Sequence, residues 1–294
     1  MGPVFDYNEA FCRNLGWISL QESEHLKRAK VAIGGSGGVG GVHLITLVRL
    51  GITHFHLADP DTFELKNFNR QYGADMSTLG QNKCEIMCQK AVLINPELRT
   101  RIFKEGISKE NIGEFLNGVD IYVDGIDLFE IEIREIIFSE CQKRNIPCVS
   151  AAPIGMGTSV INFSPSGMSF EKYFGVSGRK PLEKVIRFSL GMAPSFVHLS
   201  SLVAREYSNL SQRRVSSTPM GCQFASGVVG TEVLKILLGR GPVKYAPHVI
   251  HYDGYSYKLK KSCLWFGHLN PLFQIKLKIL KWALSRLNRN SSAA

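Results

Sequence analysis

A short apolar stretch, Val31-Ala-Ile-Gly34, runs straight into the glycine turn Gly35-Ser-Gly-Gly38-Val-Gly40, and nineteen residues after Gly40 a second apolar stretch ends in Asp59. Strand, glycine turn, helix and acid-tipped strand in this order require a parallel α/β start with a nucleotide at the turn. Gly35, Gly37 and Gly38 let the backbone turn tightly and approach a phosphate, while Gly40 lets the next helix sit close to the sheet with its N–H groups toward the anion. Asp59 is placed to accept hydrogen bonds from ribose hydroxyls. Taken alone the pattern serves a dinucleotide cofactor as well as a mononucleotide, and names no reaction.

The residues that follow narrow it. The chain continues Asp59-Pro-Asp61-Thr-Phe-Glu-Leu-Lys-Asn67-Phe-Asn-Arg70-Gln71, and Gly80-Gln-Asn-Lys83 opens another helix. A dehydrogenase needs an acid for the ribose and has no use for an Asn, an Arg and a Lys gathered behind it. A nucleoside triphosphate does, because transfer of its α-phosphoryl group to a carboxylate brings two anions together and needs cations between them. Arg70 and Lys83 meet that need. Further on, Asp120-Ile-Tyr-Val-Asp124-Gly-Ile-Asp127 is a third buried-strand pattern ending at the sheet's carboxyl edge, where a carboxylate can hold Mg²⁺ on phosphates.

These motifs resemble the ThiF/MoeB/HesA family, which includes the adenylating domains of ubiquitin-like modifier activating enzymes. The resemblance runs from about Arg13 to Gly239. It implies a homodimeric ATP- and Mg²⁺-dependent adenylyltransferase that activates a C-terminal carboxylate of a peptide or ubiquitin-like protein and releases pyrophosphate. It also implies roles: Asp59 for the ribose, Asn67, Arg70 and Lys83 for the phosphates and carboxylate, and Asp127 for Mg²⁺. Arg13, in Phe-Cys-Arg13-Asn-Leu, resembles the arginine that reaches the partner subunit's site.

Three departures from the family bear on the second half-reaction. Paired Cys-x-x-Cys motifs are missing, so no structural zinc is expected from the seven cysteines. The usual Thr-Asp-Asn is Ile126-Asp127-Leu128, and Lys66 replaces a common Ser before Asn67. The acceptor of the activated acyl group stays open between an amine, a sulfur and an internal amide nitrogen. Alternative readings are activation of a modified nucleoside for dehydration on transfer RNA, a non-catalytic partner subunit that keeps the fold, and a simple NAD(P)-binding oxidoreductase. Cys222, at the start of a helix, is open to two readings: a thiolate stabilised by the helix N-terminus, or a buried core cysteine.

The remaining pattern is that of a doubly wound, mostly parallel sheet whose second half is partly antiparallel. A helical lead-in is expected over 8–29, strands over 30–34, 52–58, 100–104 and 119–124, and helices over 39–50, 80–94 and 129–144. Two further strands follow Pro147, an irregular region with two helices covers 164–220, and a helix from Met220 to Gly239 closes the fold. The adenylating domain is expected over 1–257 and a basic tail with an amphipathic helix over 258–294. No N-terminal signal and no clean membrane-spanning run are read, and with unpaired cysteines the expected compartment is the reducing cytoplasm.

Charge is uneven. The chain carries +10, and from Gly254 onward there are eight Lys or Arg residues and no Asp or Glu. The near-neutral body gives no sign of a broad nucleic-acid surface, apart from Arg179-Lys180 and Arg213-Arg214. On a helical wheel over Leu272–Leu287, Gln274, Lys278, Lys281 and Ser285 form a narrow polar stripe, Lys276 and Arg286 interrupt the rest, and nearly all other positions are apolar. Such a helix lies on an anionic membrane, in a partner's groove, or against its own body.

Overall fold

The computed structural model describes residues 4–291, with the backbone alone for Arg205, Ser211 and 284–291, so Met1–Pro3, 292–294 and the side chains of Ser285 and Arg286 lie outside the described residues. Two short helices, α1 (Tyr7–Phe11) and α2 (Leu20–Arg28), replace the continuous helical lead-in expected over 8–29. A 3₁₀ turn at Cys12–Asn14 interrupts it, and Ser19 restarts the helix by exchanging hydrogen bonds with Glu22.

The first half then runs β1 (Lys30–Gly34), α3 (Gly40–Arg49), β2 (His54–Ala58), α4 (Lys83–Val92), β3 (Arg99–Phe103), α5 (Ile112–Phe115), β4 (Ile121–Asp124) and α6 (Ile131–Lys143). The second half is β5 (Cys148–Ile154), β6 (Gly157–Phe163), α7 (Phe170–Phe174), α8 (Pro181–Met192), α9 (Pro219–Leu238), β7 (His248–Asp253), β8 (Lys258–Cys263) and α10 (Pro271–Ser291).

All strands join one sheet in the order β3-β2-β1-β4-β5-β6-β7-β8. The strands from β3 through β5 pair in parallel, and β6, β7 and β8 continue antiparallel. Val31, Ile33, Ile121 and Val123 are fully buried because parallel strands are covered on both faces. One cluster joins Leu26, Leu44, Leu47, Met87, Val229 and Val233 on the face of α2, α3, α4 and α9. The other joins Phe115, Phe138, Tyr173, Phe188 and Phe273 on the opposite face. Strand order reverses between β1 and β4, so the carboxyl ends of these two strands flank the crevice where such a sheet binds ligands.

Two strands, β7 and β8, follow the helix that was expected to close the fold. Their sequences conceal them: β7 turns His251 and Asp253 inward, and β8, Lys-Leu-Lys-Lys-Ser-Cys, is an exposed, positively charged edge strand. The pairing of β8 with β7 carries the sheet past residue 257. Helix α9 is, by length and composition alone, long and apolar enough to cross a membrane, a test that a buried core helix also passes. It is a core helix here, with Cys222, Ala225, Val229 and Val233 buried.

Helix α10 rests on the body along one face. Phe273 and Leu277 are buried in the cluster that includes α8, Lys276 Nζ donates to the Pro194 carbonyl at 2.5 Å, and Lys281 pairs with Glu183 at 2.7 Å. Of the three placements open from sequence, packing on the body accounts for this face only.

Candidate active site

Each glycine of the turn has its own reason. Gly35 has φ of +84°, and a Cβ there would overlap the Gly125 carbonyl just beyond β4; a Cβ on Gly40 would overlap the Gly35 carbonyl. These two glycines close the backbone on itself. Gly37 and Gly38 are the ones that face side chains. A Cβ on Gly37 would stand 3.5 Å from the Gln71 amide, and one on Gly38 would stand 3.3 Å from Cys222 Sγ and 3.6 Å from Arg70. Gly37 and Gly38 therefore face Arg70, Gln71 and Cys222 across the turn.

Asp59 is buried at the end of β2. Its Oδ2 accepts from the Ser36 N–H at 2.6 Å and its Oδ1 from the Asp61 N–H at 2.9 Å, so the carboxylate is locked beside the turn. Burial raises its pKa above the ordinary value, opposed by the Lys83 charge and the two N–H bonds. Lys83 is the first residue of α4, with Asn82 as its cap. Its ammonium, nearly buried, lies 2.8 Å from the exposed carboxylate of Asp61. Asp61 is thus Lys83's partner.

Asn67 is buried, and its Oδ1 accepts from the Glu64 N–H at 2.9 Å, holding the 3₁₀ turn Leu65–Asn67. The Arg70 and Gln71 N–H groups in turn donate to the Asn67 carbonyl. Arg70 Nη1 donates to the Lys66 carbonyl at 3.1 Å and to Asn69 Oδ1 at 3.0 Å, and Asn69 Nδ2 donates to Ser217, just before α9. Cys222, in the first turns of α9, is buried, which pushes its thiol up to about 11; Arg70 is the opposing influence.

On the other side of the crevice, Asp127 is exposed, and its Oδ1 accepts from the Phe129 N–H at 2.9 Å. Asp124 is buried and turned away, paired with Arg134 at 2.9 Å and accepting from Ser150 Oγ at 2.7 Å. Arg134 also donates to the carbonyls of Ile126 and Asp127, so it fixes the loop that carries Asp127. Arg13 alone is elsewhere: its turn is held by Asn14 Nδ2 to the Arg49 carbonyl, at the end of α3 farthest from Gly40.

Sequence reasoning assigned no role to Gln71 or Arg134. Gln71 is buried beside Gly37, and its Oε1 has no hydrogen-bond partner. Arg134 carried a signal that went unread, since it shares the buried face of α6 with Ile131, Ile137 and Phe138. A cation among apolar positions needs a buried anion. A surface cavity lined in part by Lys109, Glu135, Lys143 and Glu171 shares no residue with the site.

This arrangement defines a nucleotide-binding enzyme fold, and comparison with known proteins gives its class. Residues 11–266 match the ThiF family, and the chain belongs to that family. The tRNA threonylcarbamoyladenosine dehydratase of Bacillus subtilis is 31% identical over 204 residues, covering 67% of this chain and 77% of that protein. The probable molybdopterin-synthase adenylyltransferase of Porphyra purpurea is 32% identical over 128 residues, 44% of this chain and 33% of that protein. Among solved structures, E. coli MccB with ATP superposes with a TM-score of 0.66 at 18% identity, over 88% of this chain and 73% of that one. That likeness is one of fold. The chain is an enzyme of the adenylyltransferase class, and ATP is the adenylyl donor that this class requires.

Proposed function

We propose that the enzyme joins the AMP moiety of ATP to a carboxylate, at the C-terminus of a peptide or ubiquitin-like protein, with release of pyrophosphate. One observation carries the reading. Two cations flank the glycine turn at the switch point, Arg70 against Gly38 and Lys83 beside Asp59. Binding NAD would leave them without purpose.

In this reaction a carboxylate oxygen attacks the α-phosphorus, and the bond from that phosphorus to the oxygen bridging the β-phosphate breaks. The electron pair leaves with pyrophosphate. Arg70 and Lys83 offset the charge that the two anions bring together, with Lys83 exchanging Asp61 for phosphate oxygens, and Asp59 receives a ribose hydroxyl. Mg²⁺ fits one place. Asp127 Oδ2 takes no hydrogen bond among the described residues, and no cluster of three metal-ligating side chains occurs among them, so the ion would share Asp127 with substrate phosphates, as Mg²⁺ commonly does. When bound it neutralises phosphate charge.

Arg13 lies in the Cys12–Asn14 turn, which Asn14 ties to Arg49 at the end of α3 far from the glycine turn, and this placement supports a homodimer in which Arg13 serves the partner's site. ATP and seven free cysteines suit the reducing cytoplasm. A second reading rests on the B. subtilis relative: a threonylcarbamoyl group carries a carboxylate, and its dehydration through an acyl adenylate would use this same first step on transfer RNA.

ATP–pyrophosphate exchange tests both. Exchange is expected with one of three additions: a peptide, a ubiquitin-like protein or tRNA. Arg70→Ala and Asp127→Ala should each lower it by about 10²–10³-fold without unfolding the chain. Full exchange in either variant would sink the mechanism, and tRNA as the one productive addition would replace the first reading by the second.

A further inference from the structure

Opposite the face that rests on α8, helix α10 presents Leu272, Ile275 and Ile279 to solvent, within a sector about 60° wide at 3.6 residues per turn. Trp265, Phe266 and Leu269, in the turn that leads from β8 into α10, are exposed as well. These six side chains are between 54% and 72% exposed. Exposed cations lie on the same side: Lys258 and Lys260 of β8 share the sheet face that α10 covers, Lys278 of α10 is exposed, and no Asp or Glu follows Asp253. Lys276 and Lys281 are occupied by the body, so Lys258, Lys260 and Lys278 are the cations that β8 and the described part of α10 offer on this side.

We infer that this face docks on an anionic phospholipid surface, with the aliphatic and aromatic side chains among the acyl-chain ends and the lysines at the headgroups. Charge selects the occupant. A second copy would bring the same lysines against these, and like charges repel. Nucleic acid would answer the lysines but leave Leu269, Leu272, Ile275 and Ile279 without a partner. A lipid headgroup layer supplies anions and apolar depth together. The inference is independent of which carboxylate the enzyme activates.

Sedimentation of the full chain with vesicles tests it. The chain should sediment with vesicles of phosphatidylcholine and phosphatidylglycerol, much less with phosphatidylcholine alone, and should be released as NaCl rises. The exposed double variant I275S/I279S should lose about tenfold or more of this binding while keeping its melting temperature. Three results would overturn the inference: no sedimentation with the anionic vesicles, undiminished binding by I275S/I279S, or a change of oligomeric state in that variant on size exclusion, which would assign the face to a second copy.

Discussion

Arg134 Nε stands 2.9 Å from Asp124 Oδ2, both side chains almost wholly buried, and the rest of the same guanidinium holds the carbonyls of Ile126 and Asp127. The pair anchors the end of β4 to α6 and sets the loop from which Asp127 projects. Arg134 thereby positions the loop that carries Asp127.

Replacing Arg134 with Met should destabilise the fold by about 3–5 kcal/mol, because Asp124 is left as an unpaired buried charge. Adding Asp124→Asn removes that charge and should recover most of the melting temperature. Pyrophosphate exchange should stay depressed by about 10–100-fold in the double variant, since the Asp127 loop has lost its tether. Recovery of both quantities together would make Arg134 a purely structural residue.

Subunit mixing tests the trans role of Arg13. The ten-residue helix α3 places about 15 Å between its two ends, with Arg13 at one and the glycine turn at the other. A 1:1 mixture of Arg13→Ala and Asp127→Ala chains, each inactive alone, should recover about a quarter of normal exchange, from the one complete site in each mixed dimer. Mixed dimers detected by mass spectrometry but without activity would count against the arrangement.

Cys222→Ser should keep adenylation and most of the overall turnover. Burial holds the thiol protonated at neutral pH, up to about 11, despite the nearby Arg70. A protonated thiol is a poor nucleophile, and a serine could not replace an obligatory one. A thioester or persulfide on Cys222, found by mass spectrometry and lost together with turnover in the variant, would be the contrary outcome.

Acid should weaken the fold through His43. It is fully buried in α3, neither ring nitrogen has a hydrogen-bond partner, and burial lowers its pKa from 6.5 to about 3. The unfolded chain takes up a proton below about pH 6.5 that the folded chain refuses, so stability is full above that pH and falls toward pH 3 by up to about 1.4 kcal/mol per pH unit. His43→Leu should flatten this limb in urea titrations between pH 4 and 8. An unchanged slope would mean that His56, His198 and His251, also lowered by burial, account for it.

The legible parts were those with local causes. β1, β2 and β4 are apolar runs because parallel strands have no wet face, and the turn glycines are needed by backbone conformation and close backbone approach. β7 and β8 were missed because β7 turns His251 and Asp253 inward with Ile250 and Tyr252 on its other face, and β8 is exposed and mostly lysine, which inverts or erases the alternation that marks a strand. Arg134 was missed because its buried partner lies on another element.

Sequence alone was enough for the glycine turn, the acid that ends the second strand, the half-parallel sheet and the family, since each depends on residue types at short spacings. Only the tertiary structure decided that Gly37 and Gly38 face Gln71, Arg70 and Cys222 while Gly35 and Gly40 close on backbone. It also decided that Lys83 waits on Asp61 and that α10 buries Phe273 and Leu277 while exposing Ile275 and Ile279. Gly38 and Cys222 are 184 residues apart in the chain. Contacts at such separation arise when the burial of a whole core brings elements together, and no local pattern encodes which side chains then meet.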